Sequence, residues 1–124
     1  LERELDKKLI LIVDDEPRIG KILSRRLALS GYRVLSTTSG SEALEVVRSQ
    51  VPDIMLLDIV MPDMDGFQVL QKLRSFSNLP VIAFSASTEN GPKAIKLGAN
   101  DFIAKPFDVE ELEARLTGFL NDGV

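Results

Sequence analysis

The stretch V-P-D-I-M-L-L-D-I-V-M-P-D-M-D, Val51 to Asp65, decides how this chain is read. Inside it the apolar run Ile54 to Leu57 ends on a carboxylate, Asp58, and Pro52 and Pro62 flank the run. Such a run is long enough for a buried strand and too short for a core helix. Strands buried on both faces of a parallel sheet read as continuous apolar residues rather than as an alternation. Open α/β sheets place their chemistry beyond the carboxyl ends of the strands. Asp58 therefore stands where a functional side chain is expected, its competing role being a solvated aspartate that closes a strand or caps a turn.

Working outward, Leu9 to Val13 repeats the pattern as L-I-L-I-V and runs into Asp14, Asp15 and Glu16. Adjacent carboxylates after a buried strand repel one another unless solvent or a cation relieves them. Magnesium, a hard cation that takes oxygen ligands and keeps several waters, suits such a group. The same acids also suit a helix N-terminus, with Pro17 in its first turn. The two roles are compatible.

The remaining elements follow from periodicity. Arg18 to Ser30 carries an apolar stripe of Ile19, Ile22, Leu23 and Leu27, and Gly31 stops it. Tyr32 to Ser36 reads as a short strand. Ser39 and Glu42 have capping-box spacing ahead of a helix whose apolar face is Ala43, Leu44 and Val47. M-P-D-M-D-G is a turn-rich loop in which Gly66 is expected to supply backbone freedom. Phe67, Val69, Leu70 and Leu73 predict a third helix, and Pro80 to Phe84 a fourth strand that ends at Ser85. Gly91-Pro92 is a breaker pair, so that only Lys93 to Leu97 reads as a fourth helix. Asp101 to Ala104 is a fifth strand ending at Lys105-Pro106. Asp108 and Glu111 again have capping-box spacing, before a last helix lined by Leu112, Leu116, Phe119 and Leu120.

Composition narrows the chemistry. The chain has 124 residues, 44% of them hydrophobic, which suits one globular domain with its own core. It has no cysteine and no histidine, which excludes disulfides, thiolate chemistry, imidazole metal sites and the usual general base. With 15 basic and 19 acidic residues the net charge is −4 and no basic patch stands out, so direct nucleic-acid binding is not expected. No apolar run is long enough for membrane insertion.

Five strand-then-helix units without a hairpin predict a single doubly wound, five-stranded parallel sheet with helices on both faces, the flavodoxin-like (βα)5 arrangement. The polar residues then gather at strand ends: Asp14 and Asp15, Asp58, Ser85 and Lys105. Three carboxylates and a lysine make a poor hydrolase triad but can hold a divalent cation and an anionic group, as phosphoryl transfer requires.

The tokens V-D-D-E-P at Val13 to Pro17, L-D-I-V-M-P-D-M-D-G at Leu57 to Gly66, S-A at Ser85 and Ala86, and K-P-F at Lys105 to Phe107, each at a strand end, resemble the receiver domain of bacterial two-component response regulators. The resemblance runs from about Leu9 to Leu120. It implies that Asp58 accepts a phosphoryl group from a phosphohistidine on a histidine kinase or histidine phosphotransfer domain. It implies Mg2+ bound by Asp15, Asp58 and the Val60 carbonyl, with Asp14 acting through water. Lys105 would pair with the phosphoryl oxygens and the Ala86 amide would face them. Ser85 and Phe102 would be the switch hydroxyl and switch aromatic, and Lys105-Pro106 would be cis. The domain would catalyse its own aspartyl phosphorylation and dephosphorylation as a bacterial, cytoplasmic signalling module rather than as a conventional enzyme. Its switching surface would be the fourth helix, fifth strand and last helix. A homodimer or a fused output domain is left open.

On this reading residues 1–8 form an N-terminal extension or the end of a linker helix, 9–120 the receiver domain and 121–124 a tail; the start without Met reads as an excised segment. An aspartate-nucleophile phosphatase would want an acid at position 60, where Val60 stands. The acidic loop after Val13 would repel a flavodoxin's cofactor phosphate, and no P-loop sequence is present. The remaining alternative is a receiver-like docking module, or a phosphate sink without conformational output. The interval from Ser85 to Lys105 is one or two residues shorter than receiver domains usually have, so the fourth helix is expected to be short, displaced or partly unwound.

Overall fold

Five short segments form five parallel strands, the three central ones apolar runs. The computed structural model describes residues 4–120, in which β1 (Leu9–Val13), β2 (Arg33–Thr37), β3 (Ile54–Asp58), β4 (Val81–Ser85) and β5 (Asp101–Ala104) alternate with α1 (Pro17–Leu29), α2 (Gly40–Gln50), α3 (Gly66–Arg74), α4 (Asn90–Lys96) and α5 (Val109–Leu120). A short 3-10 helix, Glu4–Asp6, precedes β1; residues 1–3 and the expected tail at 121–124 lie outside the described residues. The strand order is β2-β1-β3-β4-β5. The order reverses at β1, so the carboxyl ends of β1 and β3 border the crevice where open α/β sheets bind ligands.

The alternation of side chains explains why the central strands are apolar throughout. In β1, Leu11 and Val13 enter one core and Ile10 and Ile12 the other. Likewise in β3, Met55 and Leu57 oppose Ile54 and Leu56, and in β4, Val81 and Ala83 oppose Ile82 and Phe84. The first core is closed by Ala43, Leu44 and Val47 of α2, Val69, Leu70 and Leu73 of α3, and Ala94 of α4. The second is closed by Leu23 and Leu27 of α1 and by Leu112, Leu116 and Leu120 of α5. Each fully buried aliphatic side chain contributes about 2 kcal/mol, enough to override the weak helix propensity of short segments such as α3.

Several boundaries differ from expectation, each for a local reason. β2 starts at Arg33 rather than Tyr32, because its pairing with β1 begins at Leu9↔Arg33, after a left-handed Gly31 (φ 98°). β4 starts at Val81 and includes Ser85, which pairs with Ala104 of β5. The largest correction is α4. Gly91-Pro92 does not break the chain; both residues lie inside the first turn of a helix that begins at Asn90. The first four N–H groups of a helix have no partner within it, so proline is tolerated there. The helix is nonetheless short, at 7 residues.

The capping chemistry also differs. Ser39 accepts from the Glu42 N–H at 3.2 Å, but the Glu42 carboxylate turns to the Thr37 hydroxyl instead of closing the box. A complete capping box forms at the start of α3, where Asp65 and Gln68 bond reciprocally at 2.9 and 3.0 Å. The D-x-x-Q spacing before the apolar face was its signal in the sequence.

Candidate functional site

Three loops converge at the carboxyl edge of the sheet, and each is tied down by its own residues. After β1, Asp14 Oδ1 accepts the Glu16 N–H at 2.8 Å, which turns the chain into α1 with Pro17 at its first position. The acidic run thus serves as helix entry and as part of the site together. After β3, Asp58 Oδ1 accepts the Val60 N–H at 3.1 Å. After β5, the Lys105-Pro106 peptide is cis.

Gly66 sets the position of the β3–α3 loop. Its N–H donates to the Ile59 carbonyl at 2.8 Å. A Cβ on Gly66 would lie 2.6 Å from Ile59 Cα and 2.7 Å from the Asp58 carbonyl oxygen. The glycine is therefore required for close approach to the backbone at Asp58, and not, as its loop setting suggested, for turn freedom. Gly66→Ala is expected to lower stability by about 3 kcal/mol, since backbone cannot give way as a flexible side chain can. Chemical denaturation would measure it, and a change below about 0.5 kcal/mol would refute the close-packing role.

The carboxylate oxygens of Asp14, Asp15 and Asp58 all lie within 4.8 Å of one another. Asp14 and Asp58 are buried, whereas Asp15 is half-buried. Lys105 Nζ lies 3.2 Å from Asp14 Oδ2 and 3.5 Å from Asp58 Oδ2, and 4.9 Å from the centre of the Phe84 ring. Burial pushes the Asp58 carboxyl up from its ordinary 3.8 to about 6. Lys105 opposes the rise, Asp14 adds to it, the Val60 N–H opposes it and Asp15 adds to it. One lysine thus leaves the three acids under-neutralised, and an all-oxygen donor set of this spacing can coordinate a divalent metal.

Of the other expected site residues, Ser85 ends β4 and Phe102 lies within β5. Ser85 is completely buried, and its Oγ accepts from the Ser87 N–H at 3.1 Å and from Asn90 Nδ2 at 3.0 Å. Ala86 is exposed and, with Lys105, lines an open apolar cavity of about 370 Å³ formed with Ile19, Ile22, Leu23 and Phe107. The Val60 side chain is 62% exposed at the rim. Phe102 is half-buried and packs against the first core, with its ring on Gly91. The sequence offered no sign of Asn90, because its partner Ser85 is met only through the loop between β4 and α4.

Residues 10–117 match the response regulator receiver domain family. The chain belongs to that family. The chain is 41% identical over 119 residues to the probable transcriptional regulator ycf27 of Cyanophora paradoxa, a match covering 94% of the chain and 50% of that protein. It is also 41% identical over 110 residues to the transcriptional regulatory protein KdpE of Mycobacterium tuberculosis, covering 87% of the chain and 49% of the relative. The chain spans about half the length of the curated relatives it matches. Among solved structures, the receiver domain of Francisella response regulator 1452 superimposes with a TM-score of 0.85 at 32% identity, covering 91% of this chain and 96% of that chain. The BeF3-activated N-terminal receiver domain of Klebsiella pneumoniae RstA gives 0.87 at 30% identity, covering 93% and 100%. The receiver domain thus has the family's (βα)5 sheet and an acidic cluster of the phosphoacceptor kind. Among the described residues no helix is long and apolar enough to cross a membrane.

Proposed function

We propose that this domain, taken as residues 9–120, accepts a phosphoryl group on Asp58 from a phosphohistidine of a histidine kinase or histidine phosphotransfer domain. The observation that carries the reading is the set of three carboxylates within 4.8 Å of one another beside Lys105. An Asp58 oxygen attacks the phosphorus, the P–N bond breaks, and the imidazole leaves with the electron pair. Discharge is attack by water on the same phosphorus. Both steps place negative charge on the transferred oxygens, and Lys105 stands to neutralise part of it. Asp15, Asp58 and the Val60 carbonyl would hold Mg2+, with Asp14 acting through water, and the ion would supply the rest of that neutralisation. The exposed Ala86 amide would face the phosphoryl oxygens. Lys105 also lines an apolar cavity with Ile22 and Phe107, a surface that would receive the donor. The reading carries with it a cytoplasmic location, where such donors draw on ATP.

The readout follows from the same charges. A phosphoryl dianion beside Ser85 offers acceptors for its hydroxyl proton, and Phe102 repacks with it, changing the face formed by α4, β5 and α5.

Three measurements test the proposal. With magnesium and acetyl phosphate, intact mass should show one phosphoryl addition; none would overturn the phosphoacceptor role. With magnesium and beryllofluoride, backbone NMR shifts should change at residues 90–97 and at Phe102. Changes confined to contacts of Asp58 would favour a phosphate sink instead. Magnesium titration should also saturate in the wild type, while the Asp15→Asn, Asp58→Asn double variant should lose the response. Unchanged binding there would reject these ligands.

A further inference from the structure

We propose that Asn90 is a positioning residue that makes α4 follow Ser85 when Asp58 is phosphorylated. The inference rests on the phosphoacceptor reading and names the link in its readout. A serine hydroxyl has two acceptor lone pairs and one proton. In Ser85 the Ser87 N–H and Asn90 Nδ2 use the two lone pairs, at 3.1 and 3.0 Å. The proton is what the hydroxyl has left to donate, and an arriving phosphoryl oxygen is its acceptor. Any displacement of Ser85 toward that oxygen pulls on the amide of Asn90, the first residue of α4.

Asn90 does not cap the helix. The capping position is Glu89, and a cap accepts a backbone N–H, whereas the Asn90 amide donates away from the helix to a side chain. The next residue, Gly91, is buried with no Cβ between it and the aromatic ring: a Cβ there would meet Phe102 Cδ2 at 3.1 Å. Two consecutive residues of one helical turn therefore touch the hydroxyl and the ring that the family resemblance assigns to the switch.

The magnitudes favour transmission. The buried residues of α4 are Gly91 and Ala94, and a buried methyl contributes only about 0.8 kcal/mol. A buried neutral hydrogen bond is worth about 1 kcal/mol net, so the bond from Asn90 to Ser85 is comparable with the helix's apolar anchorage. At the other side, Lys93 Nζ rests 4.4 Å from the centre of the Phe67 ring, an exposed contact that yields readily.

The test compares wild type, Asn90→Ala and Ser85→Ala by backbone NMR, each with and without magnesium and beryllofluoride. In Asn90→Ala the shift changes around Asp58 and Ser85 are expected to persist, while those at residues 91–96 and Phe102 are lost. The Asn90→Ala, Ser85→Ala double variant should lose no more than Ser85→Ala alone, because Asn90 acts through Ser85. Full changes at residues 91–96 in Asn90→Ala would overturn the proposal. So would loss of helical Cα shifts in its ligand-free form, since Asn90 would then be an anchor of the helix and not a link. A wild type that shows no response even at Asp58 would instead overturn the phosphoacceptor reading itself.

Discussion

Asp58→Asn is expected to abolish phosphoryl incorporation and, in the same protein, to raise stability. The first effect follows from the nucleophile: an amide has no anionic oxygen to attack phosphorus. Intact-protein mass after incubation with acetyl phosphate and magnesium should show one added group in the wild type and none in the variant. Equal labelling would show that the acceptor lies elsewhere.

The second effect follows from linkage. The Asp58 carboxyl has a folded pKa of about 6 against an ordinary 3.8, raised first by burial. Because the folded value is the higher one, the favourable contribution is fully present below the unfolded pKa and is lost as pH rises through about 6. At pH 7.5 the ionised group therefore destabilises the fold, by on the order of 2–3 kcal/mol. Asparagine removes the charge at nearly constant shape. In metal-free buffer at pH 7.5 the variant should melt roughly 5–10 °C higher, and its advantage should shrink toward pH 4 as the wild-type carboxyl takes up its proton. Magnesium should raise the wild-type midpoint and leave the variant's almost unmoved. A variant that is less stable at pH 7.5 would contradict the charge balance described for the site.

Lys105→Met should act in the opposite direction on stability. Methionine keeps much of the lysine stem but removes the cation 3.2 Å from Asp14 and 3.5 Å from Asp58. The lysine is largely enclosed, and its two partners are buried. Breaking such a contact leaves uncompensated carboxylates and should cost about 2 kcal/mol at neutral pH. The deficit should diminish as pH falls through about 6, because the Asp58 carboxyl then takes up its proton. Transfer from acetyl phosphate should slow by about 100-fold, the scale for removing one charge-stabilising donor from a reacting centre. In the Asp58→Asn background the same substitution should be much milder, since only Asp14 is then left without its cation. A full-sized stability loss there would mean that Lys105 stabilises the fold through Asp14 and Phe84 rather than through Asp58.

Much of this is written in one dimension. The runs Leu9–Val13 and Ile54–Leu57 are apolar at every position because both their faces are covered, and that burial pattern is what the structure has. Crossovers too long for hairpins require parallel pairing, so the sheet and its two helical layers follow from the spacing alone. The acids and the lysine were legible because each ends a strand. Strand ends of a parallel sheet share one edge, and the order β2-β1-β3-β4-β5 sets the ends of β1, β3, β4 and β5 side by side, which brings residues 14, 15, 58 and 105 together.

Other features depended on atoms that meet only in three dimensions. Gly66 is needed because the loop returns over the backbone of Asp58 and Ile59, a distance no spacing rule contains. The Ser39 box stays half-formed because Thr37 competes for the Glu42 carboxylate. Gly91-Pro92, a strong breaker by composition, is absorbed into the first turn of α4, where proline's missing N–H has no partner to lose. The link from Asn90 to Ser85 and the contact of Gly91 with Phe102 arise where α4 folds back beside β4 and β5. Local pattern determined the elements and their chemistry because burial and strand direction are properties of a segment. Close approach, competition for a hydrogen-bond partner and the raised pKa of Asp58 are properties of what surrounds a segment, and only the packed tertiary structure decided them.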